Sequence, residues 1–377
     1  MQKRADTYDA IVAGAGIVGA ACAKELADAG LRIAICEQNE YTGGGATAAG
    51  MGHLAVMDDS DAQFALTSYS QLLWRELGEE LPAEAEYVAC GALWVAADEE
   101  EFGEAERKFH FYTERDIRAE ILDSAQLTEA EPNLRPGLAG GLLLPADSVC
   151  YPPSVAEYLV RRAVAAGAEL FLGKQVKEIS EAGVVLGDST FLRSGLTVIA
   201  TGAAAAKLAP HIEVQPRKGH LAITERYPGF VRHQLIELGY LKNAHSTTAD
   251  SVAFNVQPRV TGQILIGSSR QFGVKSVSID NAMLSKMLAR AMEYMPKIGG
   301  LSTIRTWTGF RAATPDNLPL IGLCPGYQRV YLATGHEGLG ISTSLATARL
   351  LADEILGRAS AIAREPYVPS RSFAAHA

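Results

Sequence analysis

Residues 10–37 read AIVAGAGIVGAACAKELADAGLRIAICE, and the fold is decided by this stretch. Its small and β-branched start suits a buried parallel strand, and the chain then turns through Gly14, Gly16 and Gly19 into the helical pattern AACAKELADAG. A second apolar run, Leu31 to Cys36, ends at Glu37, 18 residues after Gly19. Strand, glycine turn, helix, strand and terminal acid in this order make the βαβ dinucleotide fingerprint. Gly14 allows the tight turn, Gly16 lets backbone approach a pyrophosphate, and Gly19 lets the helix sit close on the sheet. Ile17 and Val18 complete the GAGIVG turn at the helix N-terminus, where unpaired N–H groups and a partial positive charge face the phosphates. Glu37 is placed to accept hydrogen bonds from ribose hydroxyls, and its charge would repel a 2′-phosphate. A glycine-rich turn in an unrelated α/β fold is the competing explanation.

The totals set outer limits. A chain of 377 residues allows two domains and a cleft between them. Hydrophobic content of 48% with 20% charged residues describes a globular protein, and a net charge of −9 without a Lys/Arg cluster argues against nucleic acid as a partner. The longest weakly polar run, Ala10 to Ala23, has 14 residues, short of the roughly 20 that a spanning helix needs. MQKRADTYD lacks a secretory apolar core, so a cytoplasmic location is expected. Cys22, Cys36, Cys90, Cys150 and Cys324 form no CxxC, which predicts neither a disulfide framework nor a metal or iron–sulfur site within this chain.

Beyond Glu37, residues 42–53 read TGGGATAAGMGH, a small-residue segment whose backbone can run close to an extended dinucleotide. Helices are expected over Asp59–Leu81, Glu99–Arg115 and Ser154–Ala166, the last with Ser154 as N-cap, and a strand over Gly91–Ala97. Residues 195–206, GLTVIATGAAAA, read as a further strand delivering backbone to the cofactor, which makes the cofactor domain discontinuous. Between Lys218 and Gly273 the strand-like runs His220–Thr224, Gln234–Leu241, Val252–Val256 and Gln263–Ile266 predict a mostly antiparallel sheet. Asp280–Tyr294 is a helix whose Met283, Met287 and Met292 read as core. Near the end, WTGFRAATPDNLPLIG at 307–322 is followed by the strand VYLAT, then GHEGLG and the helical run from Ile341. A glycine-flanked helix start after a strand is again an anion or dipole site.

These motifs, in this order and over nearly the whole chain, resemble the flavin-dependent D-amino-acid oxidase superfamily, the group of glycine oxidase and sarcosine oxidase. The resemblance implies an α/β fold: an FAD-binding Rossmann-type, glutathione-reductase-like domain with a second, mostly antiparallel α+β substrate domain. The expected division is 1–83, 141–217 and 301–365 for FAD, 84–140 and 218–300 for substrate, and 366–377 as a peripheral tail. It also implies FAD rather than NAD, with GAGIVG and Glu37 on the adenosine diphosphate, Val176 near the adenine, and Thr201 and Gly202 on the pyrophosphate side. Gly44, Gly45, Ala46 and Thr47 lead to Ala48, Ala49, Gly50 and Met51, which would line the flavin. Gly338, Leu339, Gly340 and Ile341 would approach its pyrimidine edge.

By the same resemblance Arg311 of WxGxR would take the substrate carboxylate as a two-pronged ion pair, the structural alternative being a salt bridge. Sarcosine oxidases hold flavin through a Cys in this region; Gly309 and Phe310 offer no thiol and Cys324 lies beyond, so noncovalent FAD is expected. GMGH and GHEGLGIS look most like the flavoprotein subunit of D-hydroxyproline dehydrogenases, with His53, His336 and Glu337 shaping a polar pocket for a ring hydroxyl, steering a proton, or supporting neighbouring side chains without touching substrate. The implied substrate is a small D- or achiral amino acid, favouring D-hydroxyproline or D-proline. Sarcosine oxidases present a Lys to oxygen; the matching strand here carries Leu265, with no Lys until Lys275, so a dehydrogenase passing electrons to an iron–sulfur or second flavoprotein subunit, peripheral to the inner membrane, is favoured. A glycine or sarcosine oxidase, a pyridine-nucleotide dehydrogenase and a flavin-bearing electron-transfer subunit stay as alternatives.

Overall fold

The structure is a computed structural model and describes residues 7–239 and 250–373. Among these residues the chain forms two large sheets. In the first, parallel strands Val330–Thr334, Phe191–Ile199, Thr7–Ala13, Ile33–Cys36 and Glu169–Phe171 lie side by side in that order, with Leu320–Leu323 antiparallel on the outer edge. Such a sheet is buried on both faces, which is why Ala10–Ala13 and Ile33–Cys36 read as unbroken apolar runs. Helix Ile17–Asp28 packs between helices Pro152–Ala165 and Ser344–Ile355, and the facing residues are small: Ala20, Ala23, Ala156, Ala163 and Ala348 are all buried. Helix 152–165 starts two residues before the expected Ser154 cap, with Tyr151 as N-cap. Proline lacks the N–H that a first-turn residue leaves unpaired anyway, so Pro152 and Pro153 begin the helix.

The second sheet is built from strands in the order His336–Glu337, Thr303–Ala313, Gln215–Thr224, Ile264–Arg270, Ser251–Pro258, Gln234–Glu237, Ala92–Ala96, Gly140–Leu144 and Glu120–Asp123. All neighbours are antiparallel except Gln234–Glu237 with Ala92–Ala96. Residues 240–241 of the expected strand Gln234–Leu241 lie outside the described residues. Strand alternation sends Phe254 to one face, stacked 4.5 Å from Tyr294 of helix Asn281–Tyr294, and Asn255 to the other, which lines a cavity. Of the methionine stripe, Met283 and Met287 are core, whereas Met292 is exposed. Strand Thr303–Ala313, grouped by sequence with the cofactor segments, pairs in this second sheet.

The two sheets meet where single chain segments pass between them. Val330–Thr334 belongs to the first sheet; Gly335, with φ of +81°, turns the chain so that His336 and Glu337 pair with Ala313 and Ala312 in the second. The closing segment, expected to be peripheral from residue 366, is docked: Tyr367 is 1% exposed and its hydroxyl donates to the Ala62 carbonyl at 2.6 Å, while Arg371 grips Asp316 with two nitrogens at 2.7 and 2.9 Å. Tyr367→Ala is therefore expected to cost about 3–5 kcal/mol, as for other buried aromatics. A urea-unfolding midpoint equal to that of the unsubstituted protein would contradict this docking.

Candidate active site

At the nucleotide end, the glycine positions are set by contact. A Cβ on Gly14, whose φ is +103°, would stand 2.7 Å from the Ala200 carbonyl oxygen, and one on Gly19 would stand 2.0 Å from the Gly14 carbonyl oxygen. Gly19 thus lets the helix close onto the turn without itself lining the cavity. Gly16 lies under Thr47, whose hydroxyl accepts the Ile17 N–H at 3.0 Å and ties the second glycine segment to the helix N-terminus. Glu37 is 5% exposed: one oxygen accepts the Ala15 N–H at 2.8 Å, and the other accepts from the Asn39 backbone and side chain at 2.9 and 2.7 Å. These bonds hold the carboxylate rigid, and each oxygen has several acceptor directions to share.

Residues 46–49 form one helical turn entered through Gly45 at φ +60°. This turn is bedded on the second sheet, since a Cβ on Gly309 would meet Ala49 Cβ at 2.3 Å, and Gln257 donates to the Met51 carbonyl at 2.9 Å. Ile341 lies against Gly50 from the opposite side. The dipole site expected at Gly338–Ile341 is displaced, because that segment is a turn and the helix begins only at Ser344, after Thr343. Thr334 donates its hydroxyl to the Gly202 carbonyl at 3.0 Å, which joins the ATG segment to the last strand.

One cavity of about 950 Å³ runs through all of these segments. Its lining includes Gly14, Gly16, Ile17, Val18, Glu37, Val176, Thr201 and Gly202 at one end, and Gly44 to Thr47, Ala49 to Met51 and Gly338 to Ile341 further on. Ala48 does not reach it. Thr201 Oγ1 and His53 Nε2 are buried without hydrogen-bond partners among the described residues. The size lies at the upper end of ligand clefts, and an elongated, polar dinucleotide fits both the length and the backbone-lined walls.

The other end of the cavity carries charge. Arg311 leaves strand Thr303–Ala313, crosses over Gly219 of the next strand and donates through Nη1 to the Ser269 carbonyl at 3.0 Å. A Cβ at Gly219 would lie 2.5 Å from that nitrogen, so glycine is what lets the guanidinium pass. Glu337, at φ +51° and with an 8% exposed side chain, pairs with Arg217 at 3.2 Å and Arg270 at 3.5 Å. Burial pushes its carboxyl up, but the charges of Arg270, Arg311 and Arg217 outweigh this and hold it below the usual range. Glu337 is therefore an ionised counter-ion. Both histidines line the cavity: His336 turns its Nε2 to the Thr347 hydroxyl at 3.0 Å, and His53 meets Gln234 through Nδ1 at 2.5 Å.

Gly219, Arg270 and Arg217 were not singled out by sequence. Their roles depend on which strands become neighbours, and only the Gly after Lys218 could have hinted at a crossing side chain.

Burial pushes the imidazoles of both His53 and His336 down to about 3. Above the ordinary His value near 6.5 neither state is charged and nothing is lost. As pH falls from there towards 3, the unfolded chain binds protons that the folded chain refuses, at about 1.4 kcal/mol per pH unit for each ring. Buried Asp147 and Glu237, whose carboxyls are pushed up by burial, contribute the opposite sign, so the histidine contribution is read as a difference: between about pH 7 and pH 5 the change in urea midpoint is expected to be less unfavourable in His336→Gln than in the unsubstituted protein. An identical slope in that variant would contradict the assignment.

A βαβ dinucleotide unit joined to a large antiparallel sheet, with a guanidinium at the far end of a shared cavity, defines a dinucleotide-dependent oxidoreductase architecture. Residues 9–354 match the family model described as DAO, FAD dependent oxidoreductase, and the chain belongs to that family. A glycine oxidase from Geobacillus kaustophilus is 29% identical over 380 residues, covering 97% of each chain. Hydrogen cyanide synthase subunit HcnC from Pseudomonas aeruginosa is 28% identical over 397 residues, covering 92% of this chain and 91% of that protein. The crystal structure of the G. kaustophilus glycine oxidase matches with a TM-score of 0.87 at 27% identity, covering 98% of this chain and 100% of that one. Among the described residues no helix is long and apolar enough to cross a membrane, and no group of His, Cys, Asp and Glu is arranged to hold a metal.

Proposed function

We propose that this protein oxidises a D- or achiral amino acid at Cα, forming the imine, with FAD held noncovalently in the cavity. The observation that carries this reading is the Arg311 guanidinium inside the same cavity as the glycine segments, with Gly338 beside it: a Cβ there would lie 3.5 Å from Arg311 Nε. A flavin bound there would supply the two-electron acceptor for the hydride leaving Cα. Arg311 fixes the carboxylate and so aims Cα, and positioning and electrostatics do most of the catalysis. The substrate nitrogen reacts as the free amine: its lone pair forms the C=N bond as the Cα–H bond breaks, and the N–H proton then passes to solvent to leave the imine. Glu337 is occupied as a counter-ion, and neutral His53 puts no fixed charge beside the amine.

Noncovalent attachment is supported by Gly309 and Phe310, which carry no thiol, and by Cys324, buried against His211 at 3.5 Å. Among substrates we favour a cyclic secondary amine, D-hydroxyproline or D-proline, on the strength of GMGH and GHEGLGIS. The second reading, a glycine or sarcosine oxidase, is favoured by the glycine oxidase relative that covers 97% of the chain. An electron-accepting partner, an iron–sulfur or second flavoprotein subunit at the cytoplasmic side of the membrane, is supported by the relative named as a synthase subunit. An anaerobic flavin-bleaching screen over D- and L-amino acids, glycine, sarcosine and the hydroxyproline epimers tests the reading, with hydrogen peroxide measured in air. Fast bleaching by D-hydroxyproline or D-proline with slow peroxide formation is expected. Bleaching by glycine with stoichiometric peroxide would establish the second reading instead.

A further inference from the structure

Three guanidiniums converge at the substrate end of the cavity and, among the described residues, all three act on one carboxylate. Arg217, Arg270 and Arg311 all act on Glu337, whose ion pairs run to Arg217 at 3.2 Å and Arg270 at 3.5 Å. Of the other acids nearby, Asp316 is taken by Arg371 through two bonds, Asp280 caps helix Asn281–Tyr294 and accepts from Gln271, and Asp59 lines the cavity from the exposed segment before helix Asp61–Gly78. The group of four therefore carries a net charge of about +2 in a mostly buried setting, where like charges repel far more strongly than in water. An anion arriving in the cavity relieves that repulsion.

The three arginines are not equivalent in place. Arg217 does not line the cavity; it stacks on Phe272 at 4.6 Å and bonds Asn317 at 3.4 Å, so it anchors Glu337 from behind. Arg270 and Arg311 both line the cavity. Arg311 starts on strand Thr303–Ala313 and Arg270 ends strand Ile264–Arg270, on opposite sides of Gln215–Thr224, but Arg311 crosses that strand to reach the carbonyl of Ser269, the residue immediately before Arg270, and so the two guanidiniums meet. Glu337 is held in its left-handed conformation by pairing with Ala312, next to Arg311 in the chain, which fixes the carboxylate against both.

We propose that Arg270 and Arg311 form a two-guanidinium clamp for the substrate carboxylate, with Glu337 as the positioning counter-ion that keeps Arg270 aimed into the cavity. This rests on the reading of the cavity as an amino acid site and adds a second carboxylate-binding residue to it. Two forks can share the carboxylate oxygens, so orientation of Cα depends on both, whereas charge alone would be supplied equally well by Lys elsewhere.

The test measures dissociation constants of acetate and pyrrole-2-carboxylate, monocarboxylates without an oxidisable amine, on the purified holoenzyme by calorimetry and by perturbation of the flavin spectrum. Arg270→Met is expected to weaken both at least about tenfold, Arg270→Lys to recover part of the loss, and Arg311→Met to remove binding. Arg305→Met, the same charge change on the exposed part of strand Thr303–Ala313 and outside the cavity, is expected to change affinity less than about twofold. Arg270→Lys keeps a cation opposite Glu337, so it reports on the clamp if Arg270→Met fails to fold. Unchanged affinity in the Arg270 variants, or equal weakening in Arg305→Met, overturns the clamp while the amino acid site stands. Absence of carboxylate binding in the unsubstituted holoenzyme overturns both.

Discussion

Arg311→Met is expected to lower kcat/KM for the amino acid substrate by about 10² to 10⁴ while leaving the cofactor bound and the fold intact. A hydrogen bond to a charged partner contributes about 1.5–3 kcal/mol, and a two-pronged pair loses two of them, about 3–6 kcal/mol. At 1.4 kcal/mol per decade this gives the stated range. Methionine keeps the length of the stem over Gly219, so the sheet has little reason to shift, and the Ser269 carbonyl loses only one bond. Arg311 belongs to the second sheet, whereas Glu37 follows strand Ile33–Cys36 of the first, which is why flavin content should not fall. Both kcat and kcat/KM should drop, because a carboxylate that is no longer fixed leaves Cα misaimed as well as weakly bound. Rapid-mixing measurement of anaerobic flavin reduction checks this. A variant reduced at the original rate would place the carboxylate elsewhere.

The second large effect is expected at the glycine turn. Gly19→Ala puts a methyl 2.0 Å from the Gly14 carbonyl oxygen and 3.2 Å from Ala200 Cβ, so helix Ile17–Asp28 must move off the sheet or the turn must open. Gly14→Ala adds a Cβ at φ +103°, about 1–2 kcal/mol of backbone strain, and drives it to 2.7 Å from the Ala200 carbonyl oxygen. Either change disturbs the backbone that must lie against the pyrophosphate, and colourless or poorly folded protein is expected from both. Gly30→Ala is the contrast: its φ is +87°, yet no atom lies within 4 Å of the added carbon, so it should cost strain alone and retain flavin. The ratio of flavin to protein absorbance after purification separates the three. Full flavin in Gly19→Ala would contradict the role given to that glycine.

How much could be read from sequence follows from how local each constraint is. Gly14, Gly16, Gly19 and Glu37 were legible because a positive φ, a close helix approach and a terminal acid are written within one βαβ unit. Within 44–51 the run of small residues signalled backbone close to the cavity, but neither the outward place of Ala48 nor the seat of Ala49 on Gly309 was written in it. The motif drew attention to Arg311, which lines the cavity, but its path over Gly219 to Ser269 exists only once strands far apart in the chain have paired. Arg270 was missed on that account: it is one Arg after GSS until the sheet places it beside Glu337. Glu337 was read as a possible proton-handling group, and three surrounding arginines make it a counter-ion instead. The start of helix Pro152–Ala165 was misplaced because a Ser cap and a Pro pair compete at the same point, and the first turn tolerates both prolines. Tyr367 gave no periodic signal, being a single side chain inserted into the core from a segment without a long helix or strand.

The most direct test of the central claim is the anaerobic absorption spectrum of the protein purified without added cofactor, taken before and after an amino acid substrate. The expected result is a yellow protein with a band at about 450 nm that releases FAD on heat denaturation and is bleached by D-hydroxyproline, D-proline or glycine. A colourless protein, or a yellow one whose band no amino acid diminishes, would contradict it.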